Sequence, residues 1–310
     1  MKPILFQGGA LELPSYLVMI MFGFFAAIFI ARRDGEAMGF DGVSVADLGI
    51  LMLILGILGA RLLAVLTDGL LMDFVHLCTD STLVEAVDTQ VRICQENSDC
   101  GFEYLCNLDV REEVLAGTKA SMCYPPTDCL AALKFWQGGL TFYGGLLLAV
   151  PGGLWFAKRR KMGGLKTADL LAPSLMLGLA LGRVGCFLNG CCYGAQTEGP
   201  LGVQFPGHAF GRHPTQLYES VFAFSLFIVL RHVLRQRTRG EGELFGYLLC
   251  FYGIFRVAIE WLRDDKRGGL AMLSTSQLIS IPLIAIGGWL IFRARRGASP
   301  SKDEIGTIKY

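Results

Sequence analysis

Apolar residues run in long segments along this chain, at roughly 15–31, 45–67, 139–157, 167–183, 215–232, 244–262 and 274–292. Most approach the ~20 residues that a membrane-spanning helix needs. The pattern predicts an all-α fold, a polytopic membrane bundle of seven transmembrane helices. The fourth and fifth segments are short or interrupted by glycine. Basic clusters follow alternate segments: Arg32/Arg33, Lys158-Arg159-Arg160-Lys161, Arg231/Arg235/Arg237/Arg239 and Arg293/Arg295/Arg296. By the positive-inside rule these face the cytoplasm. Seven spans then place the N-terminus outside and the C-terminus inside, and all four clusters agree with that parity.

Composition strengthens the membrane reading. The chain has 310 residues, 53% of them hydrophobic with glycine left out of that count, and a mean hydropathy of +0.47. Soluble domains reach about 45–50% with glycine included. The net charge of +1 gives no global field suited to nucleic acid. The first segment follows a nearly uncharged stretch and precedes arginines, the reverse of a cleavable signal peptide. The expected organisation is 1–67 with two spans, 68–138 as a polar insert, 139–296 with five spans, and 297–310 as a disordered cytoplasmic tail.

The insert carries six of the ten cysteines: Cys78, Cys94, Cys100, Cys106, Cys123 and Cys129. Parity puts it outside, where disulfides form. An even count reads as three bridges, whose connectivity the sequence leaves open. So small a loop needs staples to hold a structure. A zinc site is the weaker reading, because the insert has no CxxC pair and His76 is its only nearby histidine.

Several polar motifs interrupt the apolar runs. Arg61 lies in GILGARLL, and Tyr143 sits between two glycine pairs in GGLTFYGGLLLA. Residues 182–194 read GRVGCFLNGCCYG, 213–219 read HPTQLYE, and 255–265 read FRVAIEWLRDD. A charge at membrane depth costs about 2.5–3.5 kcal/mol, so such residues mark function or pairing. Arg256, Glu260 and Arg263 are spaced i, i+4, i+7 and are expected on one helical face. An Arg256–Glu260 pair alone reads as a packing device. With Arg61, Arg183 and Glu219 beside apolar runs, it reads instead as part of a convergent group. Arginines gathered near the outer half of a bundle suit a phosphate, because the guanidinium fork donates in pairs and stays charged.

Pro214 fits the first turn of a helix, with His213 before it and Gln216, Tyr218 and Glu219 in its first turns. His213 and Tyr218 also fit as headgroup-level anchors. Cys186, Cys191 and Cys192 keep three readings open. They are small packing residues, a redox pair joining Cys186 to Cys191 or Cys192, or a nucleophile or metal ligand.

Together the motifs resemble the bacterial phosphatidylglycerol–prolipoprotein diacylglyceryl transferase family. The carriers are GRVGCFLNGCCYG, GGLTFYGG at 138–145, HPTQLYE and FRVAIEWLR, with GARLL at 59–63, TADLLAP at 167–173 and SQLISIPL at 276–283 in support. The resemblance runs from about 12 to 295, the insert excepted. It implies a multi-pass enzyme of the bacterial inner membrane. Its lipid substrate would be phosphatidylglycerol, and its partner the signal peptide of a preprolipoprotein with a lipobox cysteine. A diacylglyceryl group would pass to that thiol, forming a thioether and releasing glycerol phosphate. No metal or organic cofactor is implied.

On this resemblance Arg183, Arg256, Tyr143 and His213 are the catalytic candidates. Arg61, Asn189, Gly194, Gln216, Tyr218, Glu219, Glu260 and Arg263 would bind substrate. The family usually has His where Tyr143 stands, and its best-studied members have Asn and an acid where Cys186 and Cys191 stand. These departures leave other readings open: a lipid-headgroup transferase with another acceptor, a non-catalytic lipid-binding or assembly paralogue, or a thiol redox protein.

Overall fold

Asp41 opens the second long helix by accepting the first free backbone N–H groups, Val43 N at 3.3 Å and Ser44 N at 2.9 Å. Together with the Ser44 hydroxyl at 2.8 Å, these bonds hold the Asp41 carboxyl below the usual carboxylate range. The computed structural model describes residues 4–8, 11–67, 70–79, 93–94, 105–115, 118–124, 128–130, 133, 141–263, 269–270 and 273–297. Its main helices are α1 (Ser15–Ala37), α2 (Gly42–Thr67), α3 (Leu70–Thr79), α4 (Phe142–Arg159), α5 (Gly164–Asn189), α6 (Thr215–Ile228), α7 (Glu243–Ile259) and α8 (Thr275–Gly297). A π-helical turn, Val229–Leu234, extends α6, and a 3-10 turn, Glu260–Leu262, extends α7.

Among the described residues six helices are long and apolar enough to cross a membrane: α1, α2, α5, α6 with its extension, α7 with its extension, and α8. The chain is therefore a multi-pass membrane protein. The segment expected at 139–157 is helical as α4 but falls outside these six. Its 18 residues include Pro151 and two glycine pairs and end on Lys158 and Arg159, which lowers its apolarity. At 1.5 Å per residue it spans about 27 Å, just under the ~30 Å hydrocarbon core.

The chain divides into two units, Met1–Asp47 with Ala157–Tyr310, and Leu48–Phe156. In the first, α5 packs against α1 and α6, while α7 packs against α8. Its core joins Ala172, Met176 and Ala180 of α5 to Ala223, Leu226 and Phe227 of α6 and Leu244 and Leu248 of α7. Small residues let backbones meet, as membrane helices require. A Cβ placed on Gly246 of α7 would lie 2.8 Å from the Gly287 carbonyl oxygen of α8. Large apolar side chains such as Phe22, Phe25, Phe29, Trp289 and Phe292 point outward, as lipid-facing residues do.

Polar contacts tie the helix ends of this unit. Asp34 of α1 meets Arg231 at 2.9 Å and Arg235 at 2.6 Å. Asp169 of α5 accepts from Gly242 N at 2.6 Å and Phe245 N at 2.8 Å, capping α7 from a neighbouring helix.

In the second unit Gly59 of α2 and Gly144 of α4 meet backbone to backbone. Thr141 donates its N–H and hydroxyl to the Ala60 carbonyl, each at 3.1 Å. Strands β1 (Ile93–Cys94), β2 (Leu105–Leu115) and β3 (Thr118–Tyr124) form an antiparallel sheet in the order β1-β3-β2. Cys106 stands opposite Cys123 in that register. Of the three expected bridges the structure describes one, Cys78–Cys129, joining the first and last cysteines of the insert. Cys100 and residues 298–310 of the expected tail lie outside the described residues, as do the side chains of Cys94, Cys106 and Cys123.

Candidate functional site

The functional residues of the first unit gather around Glu219, which lies one turn into α6 and has no exposed surface. Its Oε2 is 2.9 Å from Arg183 Nε of α5 and 3.7 Å from Arg256 Nη1 of α7. Its Oε1 accepts from the Tyr252 hydroxyl at 2.7 Å. Arg256 Nη2 reaches Glu260 Oε2 at 3.3 Å and donates to Ser276 Oγ of α8 at 3.0 Å. Helices α5, α6 and α7 thus meet at one carboxylate, and Arg256 links them to α8. Two guanidinium groups and two carboxylates balance, which makes their burial tolerable.

Helix α5 carries Cys186 near its end, and the turn that follows carries Cys191 and Cys192. Gly190 and Cys192 both take left-handed backbone, with φ of 76° and 67°; for cysteine this is uncommon. The turn folds back so that the sulfurs of Cys186, Cys191 and Cys192 lie within 4.8 Å of one another. Cys191 and Cys192 Sγ are 3.3 Å apart. Hydrogen bonds from the Cys186 thiol and then the Cys192 thiol hold Cys191 well below the ordinary thiol range.

The start of α6 fixes this turn. Buried Gln216 donates through Nε2 to the Cys191 carbonyl, and Thr215 Oγ1 donates to the Cys192 carbonyl at 3.1 Å. Gln216 Oε1 is buried with no hydrogen-bond partner among the described residues. Gly194 donates to the His213 carbonyl at 2.8 Å, and a Cβ there would fall 2.7 Å from Thr215 Cγ2. Below the loop, buried Phe205 packs against Tyr193 and Phe187.

The structure therefore brings together Arg183, Arg256, Glu219 and Glu260, with Gln216 and Gly194 bracing the neighbouring loop. Asn189 is the last residue of α5, with its amide bonded to Cys191. His213 Nδ1 and the Tyr218 hydroxyl pair at 3.3 Å, in a direction set by the histidine tautomer.

Arg263 departs from expectation. The α-helix stops at Ile259, and after the 3-10 turn Arg263 is extended, with φ −103° and ψ 145°. The i+7 projection from Arg256 is lost because the helix it requires has ended. Arg61 and Tyr143 belong to the second unit. There Arg61 lies over the Phe74 ring at 5.1 Å, and Tyr143 meets Phe142 edge to face.

Tyr252 and Ser276 are the site residues that the sequence reading missed. Tyr252 shares the four-residue spacing of Arg256 and Glu260 and was there to be found. Ser276 comes from another helix and carried no such signal.

Fold and site together define a multi-pass membrane protein in which one buried carboxylate holds two arginines. The chain belongs to the prolipoprotein diacylglyceryl transferase family, whose family model matches residues 3–86 and 114–293. It is similar to the phosphatidylglycerol–prolipoprotein diacylglyceryl transferase of Clostridium tetani, with 30% identity over 292 residues, 93% of this chain and 95% of the relative. The enzyme of that name from Geobacter sulfurreducens is 32% identical over 291 residues, 92% of each chain. That of Glaesserella parasuis is 38% identical over 169 residues, 53% of this chain and 62% of the relative. The family match includes both ends of the insert and within it omits only 87–113, so the segment foreign to the family is narrower than 68–138.

Proposed function

We propose that this chain transfers the diacylglyceryl group of phosphatidylglycerol to the lipobox cysteine of preprolipoproteins, in the bacterial inner membrane. The bundle has seven spans, with α4 as the third, an outer N-terminus and an inner C-terminus. The observation that carries the reading is the sharing of Glu219 by Arg183 and Arg256. A carboxylate that fixes two guanidinium groups preorganises them for charge that develops on a leaving phosphate.

Arg183 meets Glu219 through Nε, and its Nη edge receives a phosphate oxygen. Arg256 contributes the second positive charge, and Glu260 orients it. Asn189 and Gln216 hydrogen-bond the lipid headgroup, the latter through its unpartnered Oε1 side of the amide. Glu219 positions the arginines. Tyr143 or His213 carries the proton. Arg61, Tyr218, Gly194 and Arg263 shape the substrate site.

The test mixes purified protein with phosphatidylglycerol and a lipobox peptide and seeks the thioether by mass, together with released glycerol phosphate. Arg183→Ala and Arg256→Ala are each expected to cut turnover by about 10²–10³-fold, as loss of a transition-state donor does. Folded protein that yields neither product refutes the assignment. Unimpaired arginine variants refute the site.

A further inference from the structure

We propose that Cys186, Cys191 and Cys192 form a three-thiolate zinc site whose open fourth position captures the acceptor cysteine of the substrate as a thiolate. The inference rests on the transferase reading above and deepens it. It departs from the metal-free expectation drawn from the sequence.

Three observations support it. The three sulfurs lie within 4.8 Å of one another, with those of Cys191 and Cys192 3.3 Å apart. Zn–S bonds of about 2.3 Å in a tetrahedron place sulfurs about 3.8 Å apart, inside that range. The set is held in place, since Cys186 sits in helix α5 and buried Gln216 and Thr215 grip the carbonyls of Cys191 and Cys192 in the turn after it. A preformed ligand set avoids the ordering cost of assembling one. The set is also incomplete. Among the described residues no histidine or carboxylate joins the cluster. Three protein ligands with a vacant position are the pattern of catalytic zinc, whereas structural zinc is closed by four.

Charge favours the same outcome. Zinc with three thiolates carries one net negative charge. Arg183 lies one helical turn before Cys186 and interacts electrostatically with Cys186 and Cys192. The guanidinium that faces the lipid phosphate therefore also offsets the metal centre.

The chemistry is that of thiol alkylation. A thiol titrates near 8.5 and reacts as the thiolate, and coordination to zinc removes its proton at neutral pH. The acceptor thiol binds zinc and gives its proton to the proton carrier proposed above, Tyr143 or His213. Its sulfur then attacks the glyceryl carbon that bears the phosphate. A C–S bond forms and the C–O bond breaks, with its electron pair leaving on glycerol phosphate. The thioether product is a weak ligand and departs, and zinc is neither oxidised nor reduced.

The test uses the full-length chain in detergent, with its insert disulfides intact and Cys186, Cys191 and Cys192 as free thiols, loaded with Co²⁺ as a coloured stand-in for zinc. A lipobox peptide should raise the thiolate-to-cobalt absorption by about a third, as three sulfur ligands become four. The same peptide with serine for its cysteine should leave the absorption unchanged. Zinc should protect Cys186, Cys191 and Cys192 of the unsubstituted protein from alkylation and leave Cys250 reactive. Cys186→Ser, Cys191→Ser and Cys192→Ser should each weaken zinc binding at least tenfold.

Failure to protect the three thiols overturns the proposal, as does a cobalt spectrum indifferent to the cysteine peptide. Thioether formation that zinc removal fails to slow tenfold overturns it too. The cobalt response needs no turnover. A positive response without product therefore supports thiol capture and sinks the transferase reading instead.

Discussion

Glu219 has no exposed surface, yet both its oxygens are engaged, Oε1 by Tyr252 and Oε2 by Arg183. Breaking a buried pair by removing one partner costs about 3–5 kcal/mol, because the remaining charge is stranded. Here two cations would be stranded. Glu219→Gln is expected to lower the melting temperature in detergent steeply, while Tyr252→Phe, which removes one hydrogen bond, costs about 1 kcal/mol. An E219Q protein that melts like its parent would show that the arginines find other anions. Much of this cluster was legible. Arg256 and Glu260 announce themselves by spacing, and Arg183 by its rarity in an apolar run. Arg263 was misread because a heptad spacing means one face only while the helix lasts, and α7 stops at Ile259. The convergence on Glu219 depends on how helices pack, which no single segment encodes.

Helix α5 shows why element ends are harder to read than element cores. Apolarity suggested an end at Arg183, whereas the helix runs to Asn189 and closes on left-handed Gly190. Backbone hydrogen bonding continues through a charged residue when that residue has a partner. The end of α6 was less legible still. Its basic cluster reads as a topology signal, but the π-helical turn also delivers Arg231 and Arg235 to Asp34 of α1. Asp34→Ala should therefore destabilise the α1–α6 contact by about 3–5 kcal/mol. Asp169→Ala, which uncaps α7, should cost about 0.5–2 kcal/mol. Thermal unfolding in detergent ranks the two, and the reverse order would show that the cap outweighs the ion pair.

At the scale of the whole molecule, six of seven expected spans are plain in both sequence and structure, and the seventh is limited by the glycines, proline and basic end of α4. The family match skips 87–113 and resumes at 114, so that segment lies outside the part shared with the family. Deleting 87–113 is expected to leave turnover within a few fold of the parent, measured by thioether formation. A total loss would make the segment part of the enzyme. Peptide mapping without reductant should recover Cys78 linked to Cys129, and Cys106 linked to Cys123, its partner in the strand register.

The Cys78–Cys129 bond has a mechanical consequence as well. It joins residues 51 apart in sequence, so the chain between them is a closed ring hung from one covalent knot. A pull between the helices on either side passes through the knot and bypasses the chain inside the ring. In an optical trap with handles on either side of the ring, full reduction of the insert should release about 180 Å of chain, at roughly 3.5 Å per extended residue.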